Sequence, residues 1–294
     1  MRKVRFVFEL IGILLFTWIS GYAADIFRPP EGYNIADPEA RPIKLYCPSN
    51  EKANYRIAQW NNPVALSCWK KEKDALVARS PNLVVKIYND GSQELDQNGK
   101  NLPCWSERLQ RWNEFSAHIT PNDESYIYSP TLSDMKKLIY KIKVKLKKQK
   151  FLDDHCSITQ GEAFLSLVLK NNISKDVIFY KVRLSNINNR GLKLKPYWYW
   201  SKGEGEKAIE EKVKIFGFAD TIETFGQEFL SVGQERLIEI DLLPRLLEIL
   251  QDKRAEGLDR DPSHWYVSSA YYGQHIWGGV KLKTKWSNFR VWWE

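Results

Sequence analysis

The side chains of this sequence that could do acid–base work are few and scattered. There are four histidines. His118 stands alone, His155 adjoins Cys156, His264 precedes Trp265 in a polar run, and His275 lies within Gly273-Gln-His-Ile-Trp-Gly-Gly279. An imidazole titrates near neutrality, so His275 is a candidate general acid; the plainer alternative is a hydrogen-bonded histidine at a strand end. No serine, histidine and aspartate fall into a hydrolase order, and no Gly-x-Ser-x-Gly occurs. Neither a phosphate-cradling glycine loop nor a dinucleotide fingerprint is present, so no cofactor is expected. The cysteines are Cys47, Cys68, Cys104 and Cys156. None forms a Cys-x-x-Cys pair or stands at zinc-finger spacing from a histidine, which argues against a metal site. An even number suits two disulfides in an exported chain, with three pairings open.

Aromatic residues are the other chemical resource. Twelve tryptophans and an aromatic share of 13% are high for 294 residues. They cluster in Pro196-Tyr-Trp-Tyr-Trp200, at Trp265-Tyr266 and Tyr271-Tyr272, at Trp277, and at Trp292-Trp293. In an extended segment Tyr197 and Tyr199 face one way and Trp198 and Trp200 the other. Such rings either fill a core or line a binding surface, and composition does not choose between the two.

The elements that must position these groups read as strands. Tyr140-Lys-Ile-Lys-Val-Lys-Leu-Lys147 alternates strictly, as a half-buried antiparallel strand does. The same code recurs at Leu192-Lys-Leu-Lys195 and Val280-Lys-Leu-Lys-Thr-Lys285. The lysine rows are either a solvated outer face or a surface for polyanions. Residues 164–169 and 177–184 are spaced as a hairpin, residues 82–88 end at the turn signal Asn89-Asp-Gly91, and residues 66–69, 209–218 and 229–232 add extended material. Asp96-Gln-Asn-Gly99 reads as a polar turn. Prolines at 29, 30, 38, 42 and 63 make residues 25–63 irregular. Residues 104–115 could form a helix. A firmer helix begins after Asp241: Leu243, Leu246, Leu247 and Leu250 form one apolar stripe, Pro244 sits in the first turn, Lys253 and Arg254 suit its end, and Gly257 stops it.

Arg2, Lys3 and Arg5, an apolar run over 10–19 and Gly21-Tyr-Ala-Ala24 make residues 1–24 a secretory signal segment, with an uncleaved anchor as the alternative. The remaining 25–294 then form a secreted or periplasmic domain with an irregular, cysteine-containing N-terminal part and no further membrane span.

The unit over 238–293 resembles the C-terminal end of glycoside hydrolase family twelve and, more loosely, concanavalin-like jelly rolls. There a helix, a strand, a Gly-x-Glu-x-Trp-x-Gly-Gly-like segment and a closing strand follow in order. Here they are 242–254, Tyr266-Val-Ser-Ser-Ala-Tyr-Tyr272, 273–279 and Leu282…Phe289-Arg-Val291. The resemblance implies an all-β antiparallel sandwich of jelly-roll type with one amphipathic helix near the C-terminus. It also implies a departure. His275 stands where the family has its acid/base glutamate, and the strand best matching the nucleophile's, Phe179-Tyr-Lys-Val-Arg-Leu184, lacks a carboxylate. Retaining hydrolysis needs two carboxyl groups ~5–5.5 Å apart. Only an unrelated pair, such as Glu162 with Glu228, could replace them. The expectation is therefore a binder of polysaccharide or another envelope polymer, neutral or anionic, that does not cleave it. Trp198, Trp200, Tyr272, His275 and Trp277 are its expected contacts, and nucleic acid is not an expected partner. The alternatives are a glycosidase or lyase using other carboxylates, and a structural interaction module of the envelope.

Overall fold

The computed structural model describes residues 23–36, 45–47, 53–61, 64–100, 102, 104, 115–152, 156, 159–189, 191, 194–201 and 213–294. In chain order the strands are β1 (Ala24–Asp25), β2 (Tyr33–Ala36), β3 (Leu45–Cys47), β4 (Tyr55–Trp60), β5 (Lys70–Glu72), β6 (Ala75–Arg79), β7 (Leu83–Tyr88), β8 (Gln93–Asn98) and β9 (Phe115–Pro121). There follow β10 (Leu138–Phe151), β11 (Gln160–Asn171), β12 (Val177–Arg183), β13 (Ile187–Asn188), β14 (Tyr197–Ser201), β15 (Ile215–Thr221), β16 (Glu235–Asp241), helix α1 (Leu243–Gln251), β17 (Trp265–Trp277) and β18 (Val280–Trp293). Two sheets result. The first has the order β16-β10-β18-β8-β7-β6-β5, with β1 on β18; the second runs β14-β15-β12-β11-β17-β9-β4-β2-β3, with β13 on β11. This is a jelly-roll sandwich with one α-helix among the described residues. It is antiparallel except where β2 runs parallel to β4 and β12 to β15.

Alternation builds the core. Tyr140, Ile142, Val144 and Leu146 are fully buried, and the inward rows of both sheets join them in a hydrophobic cluster running from Ile26 to Val291. The lysines of β10 and β18 point away from it and meet carboxylates of neighbouring strands. Lys141 pairs with Glu239 at 2.7 Å, Lys143 with Glu235 at 2.5 Å, Lys147 with Glu94 at 2.6 Å, Lys281 with Asp96 at 2.5 Å and Lys283 with Glu94 at 2.8 Å. The β11–β12 hairpin turns where the side-chain oxygen of Asn171 accepts from the N–H groups of Ile173 and Ser174, both at 2.8 Å.

Several sequence expectations are corrected. Residues 25–63 are not irregular throughout: they contribute to β1 and supply β2 to β4, with Pro29 and Pro30 between β1 and β2. Asp96 to Asn98 are strand, not turn. The polar composition of β8 misleads because two of its inward residues, on either side of Leu95, are glutamines whose amides find partners: Gln97 donates to the Phe115 carbonyl at 2.9 Å, and Gln93 accepts from the Tyr272 hydroxyl at 2.8 Å. Residues 66–69 and 229–232 lie outside strands. Of the glycine-rich segment, residues 273–277 belong to β17 and only Gly278 and Gly279 turn. Helix α1 stops at Gln251 rather than near Gly257, because Asp252 turns extended and its carboxylate caps the next short turn through the Arg254 N–H. Asp241 acts one residue ahead of the helix boundary, accepting from Leu243 N–H at 3.1 Å and Leu138 N–H at 3.0 Å. Ile249 joins Leu243, Leu246 and Leu250 in the buried stripe, and Leu247 is only half-buried. The signal segment over 1–22, the helix over 105–114, His155 and Lys193 lie outside the described residues.

Cys104 and Cys156 form a disulfide with Cα atoms 5.1 Å apart. Cys68 is disulfide-bonded too, and no described cysteine is free.

Candidate binding site on the outward face of the second sheet

Period-two geometry divides the second sheet. Leu165 and Leu167 of β11, Tyr180 and Val182 of β12, Tyr272 and Ile276 of β17, Ala117 and Ile119 of β9, and Ile57 of β4 turn into the core. Their alternates form the opposite face. There the register sets Glu162 against His275 and His275 against Ser116, and it lines up Arg183, Phe164, Gly273, His118 and Ala58 across five strands.

A compact layer of polar and aromatic groups covers the centre of this face. Phe164 is fully buried yet lies outside the core cluster. Its ring meets His118 edge-on at 5.1 Å, His275 at 5.1 Å and Tyr271 at 6.1 Å, while Lys181 Nζ stands 4.6 Å from its centre. Tyr271 stacks on His118 at 5.0 Å. The rings of His275 and Trp277 approach to 4.1 Å, and the indole N–H of Trp277 is buried with no acceptor among the described residues. Gly273 makes the layer possible. A β-carbon there would collide with the Ala117 carbonyl, so only glycine lets β17 and β9 run this close beneath the His118 and Phe164 rings.

The titratable centre is Glu162. Its carboxylate meets His275 Nε2, lies 3.5 Å from Lys181 Nζ and accepts from the Gln160 amide at 3.3 Å. Lys181 Nζ also lies 3.4 Å from His275 Nδ1. Glu162 and His275 are each 1% exposed at the side chain, and Lys181 is 18% exposed. Burial alone would raise the Glu162 pKa, but the attraction of His275, Lys181 and Arg183 outweighs it and holds the carboxyl down at about 2. Glu162 is thus an ionised anchor rather than a proton donor. Lys181 and His275 occupy the two strands on which the sequence resemblance puts a nucleophile and an acid. Arg183, two residues on, is spent structurally: it donates to the carbonyls of Asp220 at 3.2 Å and Lys195 at 2.5 Å and lies over the Tyr197 ring.

The expected contact residues separate. His275 and Trp277 lie on this face. Tyr272 does not: it is fully buried on the inward side, its hydroxyl tied to Gln93, because it neighbours Tyr271 in an alternating strand. Trp198 and Trp200 are 46% and 42% exposed on edge strand β14 but face the helix side, against Arg254 at 4.6 Å and Phe216 at 4.9 Å. Tyr197 and Tyr199 turn the other way, as expected of alternation. Glu228 is not brought to Glu162. It is exposed in the loop after β15, where its carbonyl accepts from Arg236 at 2.6 Å. Sequence reasoning passed over Phe164, Lys181, His118, Tyr271 and Arg56; the signal that would find them is the register of β4, β9, β11, β12 and β17. No cluster of metal-ligand type occurs among the described residues.

No protein-family model matches the sequence, and no curated protein matches it. Among solved structures, the chain is similar to a family 12 xyloglucanase from Bacillus licheniformis, with 15% identity and a TM-score of 0.44 over 81% of this chain and 100% of that one. It is also similar to the xyloglucanase domain of NopAA, a type three effector from Sinorhizobium fredii that was solved with cellobiose, at 12% identity and a TM-score of 0.39 over 79% of this chain and 100% of that one. A family 11 xylanase from Neocallimastix patriciarum follows at 8% identity and a TM-score of 0.41, over 81% of this chain and 100% of that one. All three TM-scores are below 0.5, so the fold assignment stands on the sheet order described above.

Proposed function

We propose that this is an exported β-sandwich protein that binds a glycan on the outward face of its second sheet without hydrolysing it. The observation that carries the reading is the state of Glu162. It is the carboxylate among the described strand residues of this face, it is buried, and the neighbouring His275, Lys181 and Arg183 side chains hold it ionised. A glycosidase needs a second carboxyl group and a protonated member of the pair. The partly exposed rings of Trp277, against His275, and of Tyr271, against His118 and Phe164, offer apolar faces with polar edges, which suit a sugar ring.

The test is Trp277→Ala, assayed on a glycan array and by thermal unfolding. A stacked ring contributes on the order of 1–3 kcal/mol, by analogy with base stacking, or roughly ten- to a hundred-fold in affinity. Since Trp277 lies outside the core cluster, the melting temperature should stay within a few degrees. Loss of stability by about 3–5 kcal/mol instead would make the residue structural and remove it from the site. Turnover of any polysaccharide by the unmodified protein would sink the non-hydrolytic half of the reading.

Export is checked by mass. Secreted protein should begin at Ala24 or Asp25 and carry no alkylatable thiol. Ala24 and Asp25 pair with Trp293 and Trp292 in β1–β18, so a chain cut after Ala23 keeps this strand intact. A retained N-terminus or four reactive thiols would contradict the proposal.

A further inference from the structure

The two outer faces of the sandwich carry charge differently. On the first sheet, lysines and carboxylates interleave across the strands and pair off. On the second, the described strand residues of the outward face hold Arg56, Lys170, Lys181 and Arg183 against the carboxylate Glu162. That excess is positive before any histidine is counted.

Arg56 is the unusual member. It sits on β4 between the core residues Tyr55 and Ile57, half-buried, opposite Thr120 of β9. Its Nε is shielded from solvent and has no acceptor among the described residues, and Asp123 acts on it only through space. A guanidinium taken partly out of water without a partner is costly, so a fold that retains one holds a position prepared for an anion. Arg56 and Lys181 also share one line across the sheet. The register runs Arg56 to Thr120 on one side and Tyr271 to Ser166 to Lys181 on the other, and Tyr271 lies one step beyond the Tyr272–Ile119 pair. Four strand spacings separate the two cations, roughly 19 Å. Between them lie the half-exposed rings of Tyr271 and His118. An extended chain crossing the strands would meet a guanidinium, an aromatic platform and an ammonium in turn.

We propose that the glycan taken by this face is an acidic polysaccharide, its carboxylate or sulfate groups received by Arg56 and Lys181. This rests on the glycan-binding reading above. Neither cation needs to move: Lys181 keeps its contact with Glu162 and offers its exposed side, and Arg56 Nε has no acceptor among the described residues.

The experiment is affinity electrophoresis and calorimetry of the full secreted chain with four probes: polygalacturonate for carboxylate, dextran sulfate for sulfate, xyloglucan as a neutral glycan, and polyphosphate as a polyanion without sugar. Binding to polygalacturonate or dextran sulfate should exceed binding to xyloglucan and polyphosphate, and Arg56→Gln should weaken it roughly ten- to a hundred-fold. Because Arg56 Nε has no acceptor among the described residues to orphan, that variant should melt within a few degrees of the parent; Lys181→Met serves as a second test if it does not. Preference for xyloglucan, or binding unchanged in both variants, would overturn the acidic assignment and leave glycan binding standing. Equal capture by polyphosphate would reduce the effect to bulk charge and overturn it as well. Binding to none of the four would overturn both this inference and the reading beneath it.

Discussion

Leu246→Asp should destabilise the protein by several kcal/mol, enough to lower its urea midpoint sharply or prevent folding. Leu246 is fully buried in the stripe of α1, and aspartate there would lose the leucine's contacts and leave a carboxylate without a partner. Glu248 lies on the opposite side of the helix, 65% exposed, held to Arg245 Nη1 at 2.7 Å. Surface pairs of this kind contribute at most about 1 kcal/mol, so Glu248→Ala should be close to neutral. Equal effects at both positions, read from denaturant midpoints, would show that the stripe does not face the core. Arg245 makes a second use of the helix. Its Nε meets Asp220 at 2.8 Å, and the Asp220 carboxylate, fully buried, also accepts from the Tyr180 hydroxyl at 2.9 Å. The helix thereby fixes the strand that lies beside β12 and its Lys181.

Gly273→Ala should be nearly as damaging, although it adds only a methyl group. In an ordinary strand this change is mildly favourable, since alanine loses less backbone freedom on folding. Here the new carbon would strike the Ala117 carbonyl and come within 2.9 Å of the His118 Cα. Both obstacles are backbone of a paired central strand, so neither can swing aside. Relief requires β17 and β9 to part, at a cost of about 3 kcal/mol. Because Gly273 lies under the His118 and Phe164 rings, the same parting should disorder the outward layer and abolish glycan binding together with stability. An unchanged or raised midpoint would mean that the two strands have room to spare and that glycine is not what shapes this face.

The legible parts of the sequence are those in which one period repeats long enough to outvote chance. Residues 140–147 announce a strand and its buried face, and 243–250 announce a helix stripe, because each segment meets one boundary between apolar core and water along its whole length. The hairpin at 164–184 is legible for a related reason: its turn chemistry is local, carried by Asn171 acting on its own neighbours. The same holds for the order of helix, strand, turn and closing strand that suggested the jelly roll. Gln93 and Gln97 were hidden, since their burial is made acceptable by partners outside their own strand, Tyr272 and Phe115.

The site divides in the same way. The sequence by itself determined that His275 is not a carboxylate, that the matching strand 179–184 has none, and that Tyr197 and Tyr199 must oppose Trp198 and Trp200. Those statements need only identity and alternation. Only the tertiary structure decided which face looks outward, and therefore that Trp277 lies on the candidate site while its near neighbour Tyr272 fills the core. It also decided that Glu162, 113 positions from His275 in the chain, is its direct cross-strand partner, and that Lys181 and Arg56 share a line with Tyr271. Pairing between distant strands is set by the packing of both sheets around one core, and no stretch of sequence carries it alone.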